Sequence, residues 1–335
     1  MIEIIKTKPD DTQYYLYENT IANIYTSEEL KKTLSQSINK VFLVHCYVLL
    51  QNNIPVARAS LYHNPLLVYK NKQTVSIGNF ECIDDIDCSN KLLSHLENEG
   101  KLLGASYFIG PMNGSTWDDY RFSAFHNEHN FFSEPYHHVY YNELFTAFGF
   151  TTISHYVSQK DNTLKYDDDA ILQVEKQFVE NGLVIRNIDL DNFKNELKKL
   201  YPFICEAFKN NFLYTTISEA SFLEKYLPVH KIIEPGFMLI AEDENKNIVG
   251  FIFCFRDFYN KTAQSLVVKT AARCNATKWK GLAHVLGNRI VRHAVKNGYT
   301  DLVHAFVINN EKSIRFSESF DGNAYKEYLL YGKEI

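Results

Sequence analysis

The 335-residue chain is poor in the features that mark several large protein classes. Fourteen glycines and eight prolines are too few for a collagen-like or low-complexity disordered chain. Neither sign of charge dominates, with 35 Lys and Arg against 40 Asp and Glu. The basic surplus by which proteins hold polyanions is missing, so nucleic acid is not an expected partner. Six cysteines, at 46, 82, 88, 205, 254 and 274, include no CxxC pair and sit in apolar or strand-like contexts, as reduced thiols of a cytoplasmic protein do. The longest apolar run, VFLVHCYVLL from Val41, is broken by His45 and falls far short of the roughly 20 residues that span a bilayer. It reads as a buried strand, and no membrane partner is expected. The first fifteen residues lack the apolar stretch of a secretory signal. Walker loop, Rossmann fingerprint and nucleophile elbow are all missing.

What is present is core-forming material: 45% of residues are hydrophobic and 14% aromatic, in a length that suits about two domains. Apolar alternation predicts strands at 40–51, 55–61 and 74–83, a helix over Ser89–Lys101 and a strand at 105–109 that ends on Gly110–Pro111. A helix over 138–148 and a strand over 150–158 follow. The polar stretch 159–170, with its run Asp167–Asp169, reads as a domain boundary leading into a helix whose acidic start suits the helix dipole. Beyond it the order repeats: strand 183–188, helix 191–208, a hairpin of 236–243 and 248–257, a long strand 264–273, helix 281–297, strand 301–307, a short helix near 312–320 and a last strand 324–332. Two copies of one α/β unit is the economical reading.

The sharpest local signal is Lys278-Trp279-Lys280-Gly281-Leu282-Ala283, which follows a strand and opens a helix. Glycine there lets backbone N–H groups approach a ligand, the helix N-terminus adds partial positive charge, and two lysines flank it. The pattern suits a pyrophosphate cradle, or an ordinary strand-to-helix turn. In the first half the matching interval, 81–89, is acidic and would repel pyrophosphate. That half is instead marked by Asn113 and Ser115 in the run from Gly110 and by the pair Tyr140 and Tyr141, which read either as a polar, aromatic acceptor-binding wall or as turn and core residues. His126, His129, His137 and His138 read as loop or surface histidines rather than zinc ligands, so no metal is expected. The aperiodic stretch 117–132 reads as a long loop, of a length often used as a lid or binding element.

From Leu183 onward, the hairpin, long strand, glycine turn, helix and strand resemble the GNAT superfamily of N-acyltransferases, whose motif is Arg/Gln-x-x-Gly-x-Gly/Ala. Lys278 departs from that motif while Gly281 and Ala283 match it. The first half, with its GlyPro-x-Asn-x-Ser segment, resembles the amino-terminal half of bacterial proteins with two GNAT-like halves. The resemblance implies two tandem domains, each a mixed, mostly antiparallel sheet flanked by helices: 1–160 degenerate, 161–182 a linker and helix, 183–335 binding acyl-CoA. It implies transfer of an acyl group, commonly acetyl, from acetyl-CoA or another acyl-CoA to a small-molecule amine or amino acid. The pantetheine arm would pair with Ala271, Ala272 and Arg273, and the coenzyme would contact 278–283 and the segment holding Asn309 and Ser313. Asn309 is placed among the catalytic residues by the same likeness.

Acylation needs a base for the ammonium, for which Glu242, Asp243 and Asp257 are candidates by position, with Glu242 favoured. The family's tyrosine proton donor would fall on Ser317, so Tyr325 or Tyr328 of the last strand, or water, would replace it. A non-catalytic CoA- or metabolite-binding protein and an aminoacyl-tRNA-dependent transferase are the alternative readings. Homodimer formation is left open.

Overall fold

The computed structural model describes residues 1–25, 38–124, 130–308 and 323–335. The first half runs β1 (Ile2–Thr7), α1 (Tyr14–Ile24), β2 (Leu43–Gln51), β3 (Ile54–Tyr62), β4 (Val68–Tyr69), β5 (Lys72–Cys82), α2 (Ile86–Leu102), β6 (Tyr107–Gly110), β7 (Phe122–Ser123), α3 (Tyr141–Ala147) and β8 (Thr151–Asp161). The second runs α4 (Asp169–Glu180), β9 (Val184–Asn187), α5 (Phe193–Phe208), α6 (Glu219–Tyr226), β10 (Met238–Glu242), β11 (Ile248–Arg256), β12 (Ser265–Arg273), α7 (Leu282–Lys296), β13 (Asp301–Ile308) and β14 (Asn323–Glu334).

All described strands join one sheet in the order β1-β2-β3-β5-β6-β14-β8-β13-β12-β11-β10-β9, with β4 and β7 attached to β5 and β14. Every pairing is antiparallel except β5 with β6 and β12 with β13. These two parallel pairs hold equivalent places in the two repeats, each joined by a crossover helix, α2 or α7. The repeats exchange their last strands. β14, from the end of the chain, fills the place between β6 and β8, and β8 pairs with β13 of the second half.

The expected strands and helices are found with shifts of a few residues at their ends. The helix expected from Ser89 begins earlier, because Asp85 caps it by accepting from the Cys88 N–H. Asp168 caps α4 in the same way, and Asp167 pairs with Arg292 of α7, so the acidic run anchors a helix. β1, α1 and α6 were not expected from the sequence. The short helix expected near 312–320 lies outside the described residues.

Each half has a core on either face of the sheet. In the second half, α4 and α7 cover one face with Leu282, Leu286 and Ile290 over Leu266 and Val268. α5 and α6 cover the other, where Leu197, Leu200 and Phe222 meet Phe251, Phe253 and Val267. Phe131, Phe132 and Trp117 of the first half also enter this second face. Trp117 donates its indole N–H to the Thr215 carbonyl at 2.8 Å, and Lys225 of α6 pairs with Asp118 at 2.8 Å. The described ends of the loop read as a lid or binding element, 117–124 and 130–132, thus contact the helical face of the other half. The six cysteines are unpaired, and no described helix is long and apolar enough to cross a membrane.

Candidate active site at the splayed strands of the second half

β12 and β13 run side by side from Ser265 and Asp301 to Val268 and His304 and pair no further. On its other edge β12 matches Val268 to Cys254 and then Thr270 to Phe253, leaving Lys269 as the extra residue of a β-bulge. β13 is irregular at the same level: its register with β8 shifts between His304 and Val307, and Phe306 has φ of 56°, a left-handed conformation costly for an aromatic residue. Two parallel strands therefore part, and the β13-facing edge of Lys269–Arg273 is left without a β13 partner. Ala271, Ala272 and Arg273, the residues expected to pair with a pantetheine arm, lie on this stretch.

The glycine turn follows directly. Thr277–Trp279 forms one tight turn, and Gly281, at φ 98°, is the N-cap of α7. An L side chain is strained at that φ, and the helix's first N–H groups, including those of Leu282 and Ala283, have no partner within the helix. No acidic residue stands in the first turn. Lys278 and Lys280 are exposed, whereas Trp279 packs on Phe178 at 5.6 Å and Leu282 is fully buried. Trp279 and Leu282 can therefore offer a ligand only their backbone. His284 is held below the usual imidazole range by burial and by Arg273. Neutral at physiological pH, it leaves the cradle's charge to Arg273 and the two lysines.

The first half answers the same geometry differently. β5 carries the matching bulge, with Asn79 and Phe80 opposite Ala59 and Asn79 at φ 47°. Here the bulge N–H of Asn79 donates to the Asn113 side-chain oxygen at 2.9 Å. A Cβ at residue 78 would run into that oxygen, so Gly78 is what admits it. The helix N-terminus is capped by Asp85. The first half is thus closed at both points where the second is open.

This corrects the expectation for the substrate wall. Asn113 and Ser115 are each 2% exposed, and Ser115 donates to Asp118 at 3.1 Å. Tyr141 is fully buried and donates to Glu81 at 2.7 Å, as does Tyr25. Tyr140, half-buried, donates to the Cys82 carbonyl at 2.7 Å. All four serve the interior of the first half.

The carboxylates expected as bases are also engaged. Glu242 pairs with Arg186 at 2.5 Å, and the same guanidinium holds the buried Glu196. Asp243 caps the hairpin turn by accepting from the N–H groups of Asn245 and Asn247. Asp257 accepts from the N–H groups of Phe132 and Tyr259. Tyr328, 1% exposed, donates to Glu134 at 2.9 Å. Tyr325 is half-buried beside the ammonium groups of Lys160 and Lys326. Asn309, Ser313, Ser317, His126 and His129 lie outside the described residues. Among the described residues no three His, Cys, Asp or Glu side chains gather as metal ligands do.

Residues not singled out from the sequence stand at the splay instead. Lys269 and, from the first half, Asp119 are both reached by water. Yet desolvation is the largest influence on each, lowering Lys269 to about 8 and raising Asp119, and each lies within electrostatic reach of the other. The two stand at the junction of the halves, exposed in part and each within the other's electrostatic field. Arg121 stands beside them. The run Trp117-Asp118-Asp119-Tyr120-Arg121 is dense in charged and aromatic residues, a signal that only the fold connects to the splay.

No family model matches the chain, and no curated protein matches it. Solved structures do. The GCN5-related glucosamine N-acetyltransferase region of a fungal multi-domain GH3 β-N-acetylglucosaminidase matches 99% of this chain with TM-score 0.59 at 12% identity, and this chain covers 38% of that one. A tandem GNAT protein from the clavulanic acid biosynthesis pathway matches 100% of this chain and 98% of its own, with TM-score 0.58 at 9% identity. A GCN5-related N-acetyltransferase from Sphaerobacter thermophilus matches 99% of this chain and 95% of its own, with TM-score 0.56 at 11% identity. With parallel strands that part at a bulge twice over in one sheet, beside a helix capped by Asp85 in the first half and by Gly281 in the second, the chain has the fold of the GNAT acetyltransferases in tandem.

Proposed function

We propose that the protein is an acyl-CoA-dependent N-acyltransferase whose second half holds the acyl donor and whose first half shapes the acceptor side. The donor is acetyl-CoA or another acyl-CoA, and the acceptor is an amine of a small molecule or amino acid. The observation that carries this reading is the open bulge at Lys269 lying one strand-end away from the uncapped, acid-free N-terminus at Gly281. The coenzyme brings a thioester already activated toward an amine.

The chain's own tasks are then few. Lys278, Lys280 and the N–H groups that open α7 hold the pyrophosphate. The unpaired edge of Lys269–Arg273 orients the pantetheine arm through backbone hydrogen bonds. Backbone N–H groups at the bulge face the acyl carbonyl, where negative charge develops as the amine attacks. Asp119, whose carboxyl is raised by burial, accepts the proton that the attacking ammonium must lose. It takes the role expected of Glu242, which Arg186 occupies.

Calorimetric titration with acetyl-CoA and with free CoA tests this reading, on the wild type, Gly281→Ala and Gly281→Asp. One saturable site is expected, weakened in the alanine variant by backbone strain and lost in the aspartate variant. The folded wild type failing to bind either compound would overturn it. Binding without thiol release across a broad panel of amines would leave a coenzyme-binding protein that is no transferase.

A further inference from the structure

We propose that the junction of the halves recognises an amine that also bears a carboxylate, with Arg121 and Lys269 holding the carboxylate and Asp119 facing the amine. This deepens the acyltransferase reading by naming the acceptor class, but the binding it requires needs no coenzyme.

Arg121 is 8% exposed, with its guanidinium carbon 3.8 Å from the ring centroid of Tyr120, 4.3 Å from that of Tyr156 and 4.5 Å from that of Phe306. Its Nε donates to the Tyr120 carbonyl at 3.0 Å, while its buried Nη1 has no partner among the described residues. A buried guanidinium N–H without an acceptor is costly unless something supplies one. The Lys269 ammonium lies 4.7 Å from the same Phe306 ring and makes no hydrogen bond or ion pair among the described residues. Two cations share one aromatic ring and repel each other, and Asp119 is the carboxylate within electrostatic reach of both.

The other charges nearby do not serve. Lys225 is paired with Asp118, which also accepts from Asn39 and Ser115. That leaves Arg121 and Lys269 against Asp119, a surplus of one positive charge. A carboxylate seated between the two cations cancels it when the ligand nitrogen is uncharged and Asp119 is ionised, as in the N-acylated product. The site is firm: the Arg121 N–H donates to the Pro111 carbonyl at 3.0 Å, and Tyr120 bridges to Met112. A planar guanidinium with a free donor suits a carboxylate better than it suits an uncharged amide.

The test is calorimetry in the absence of coenzyme with product-like probes, the N-acetyl derivatives of glycine, glutamate, lysine and phenylalanine, each against its C-terminal amide. At least one carboxylate should bind tenfold or more tighter than its amide, and Arg121→Gln and Lys269→Gln should each remove most of that preference. Lys278→Ala should leave carboxylate binding unchanged while weakening acetyl-CoA, which separates failure of the two sites. Should Arg121→Gln not fold, Lys269→Gln, at a water-accessible bulge, decides alone. Equal binding of acids and amides, no binding of any probe, or indifference to Lys269→Gln would each overturn the proposal.

Discussion

The side-chain oxygen of Asn113 accepts a hydrogen bond from the backbone N–H of Asn79 at 2.9 Å, at the bulge of β5. In the second half the corresponding bulge residue is Lys269, and among the described residues no strand or side-chain plug covers it. One amide side chain thus distinguishes a sealed repeat from an open one.

Replacing that plug should cost stability and leave the second half's ligands alone. Asn113→Ala strands the Asn79 N–H inside the protein, an unsatisfied donor that costs about 1–3 kcal/mol. Urea unfolding should show that loss while acetyl-CoA affinity stays within twofold of the wild type. Unchanged stability would mean that the Asn113 contact holds nothing together.

A second prediction concerns the buried pair Glu134 and Lys326. Both side chains are fully buried and 2.7 Å apart, and Glu134 also accepts from Tyr328 and from the Phe131 N–H. Lys326→Met leaves a carboxylate buried without its cation, worth about 3–5 kcal/mol. The double variant Glu134→Leu with Lys326→Met should be less destabilised than the two single losses summed. Strict additivity in a double-mutant cycle by chemical denaturation would show that the two groups do not act together.

The third prediction is a pH profile. Lys269 sits at about 8 because burial, Arg121 and Lys225 disfavour its charge more than Asp119 favours it. The ammonium is therefore lost as pH rises through about 8, and affinity for a carboxylate probe should fall between pH 7 and pH 9.5. Binding opposes the loss, so the midpoint should lie above 8. Lys269→Gln should flatten the profile. The stability consequence runs the other way: the unfolded chain keeps this proton to higher pH, so folding gains stability from about pH 8 toward the ordinary lysine range. A profile equally steep in Lys269→Gln would assign the titration elsewhere.

Much of the fold was legible because local pattern and tertiary role agree. The β10–β11 hairpin, β12 and α7 each announce themselves by periodicity, and Gly281 by its place between strand and helix. Asn113 was conspicuous, but a polar side chain after Gly-Pro can face a ligand or fill its own repeat, and only register distinguishes the two. Glu242 was a reasonable base until Arg186, more than fifty residues earlier, was seen to neutralise it. Asp119 and Arg121 lie in an aperiodic loop whose position depends on contacts with Thr215 and Lys225, so nothing local reveals them. The exchange of β8 and β14 was hidden for a related reason: each has the alternation of a strand suited to either neighbour.

That exchange has a bearing on how the chain is made. On a ribosome, β6 and β8 are completed long before β14, and until β14 arrives each presents an open edge of backbone donors and acceptors. The first half can assemble β1 through β6 early, but its closure waits for β14, which begins only at Asn323. Folding of the two repeats is thereby coupled through pairings of large sequence separation, which are slow to form. Separately expressed halves should behave as sticky, edge-exposed fragments, and should recover order when mixed.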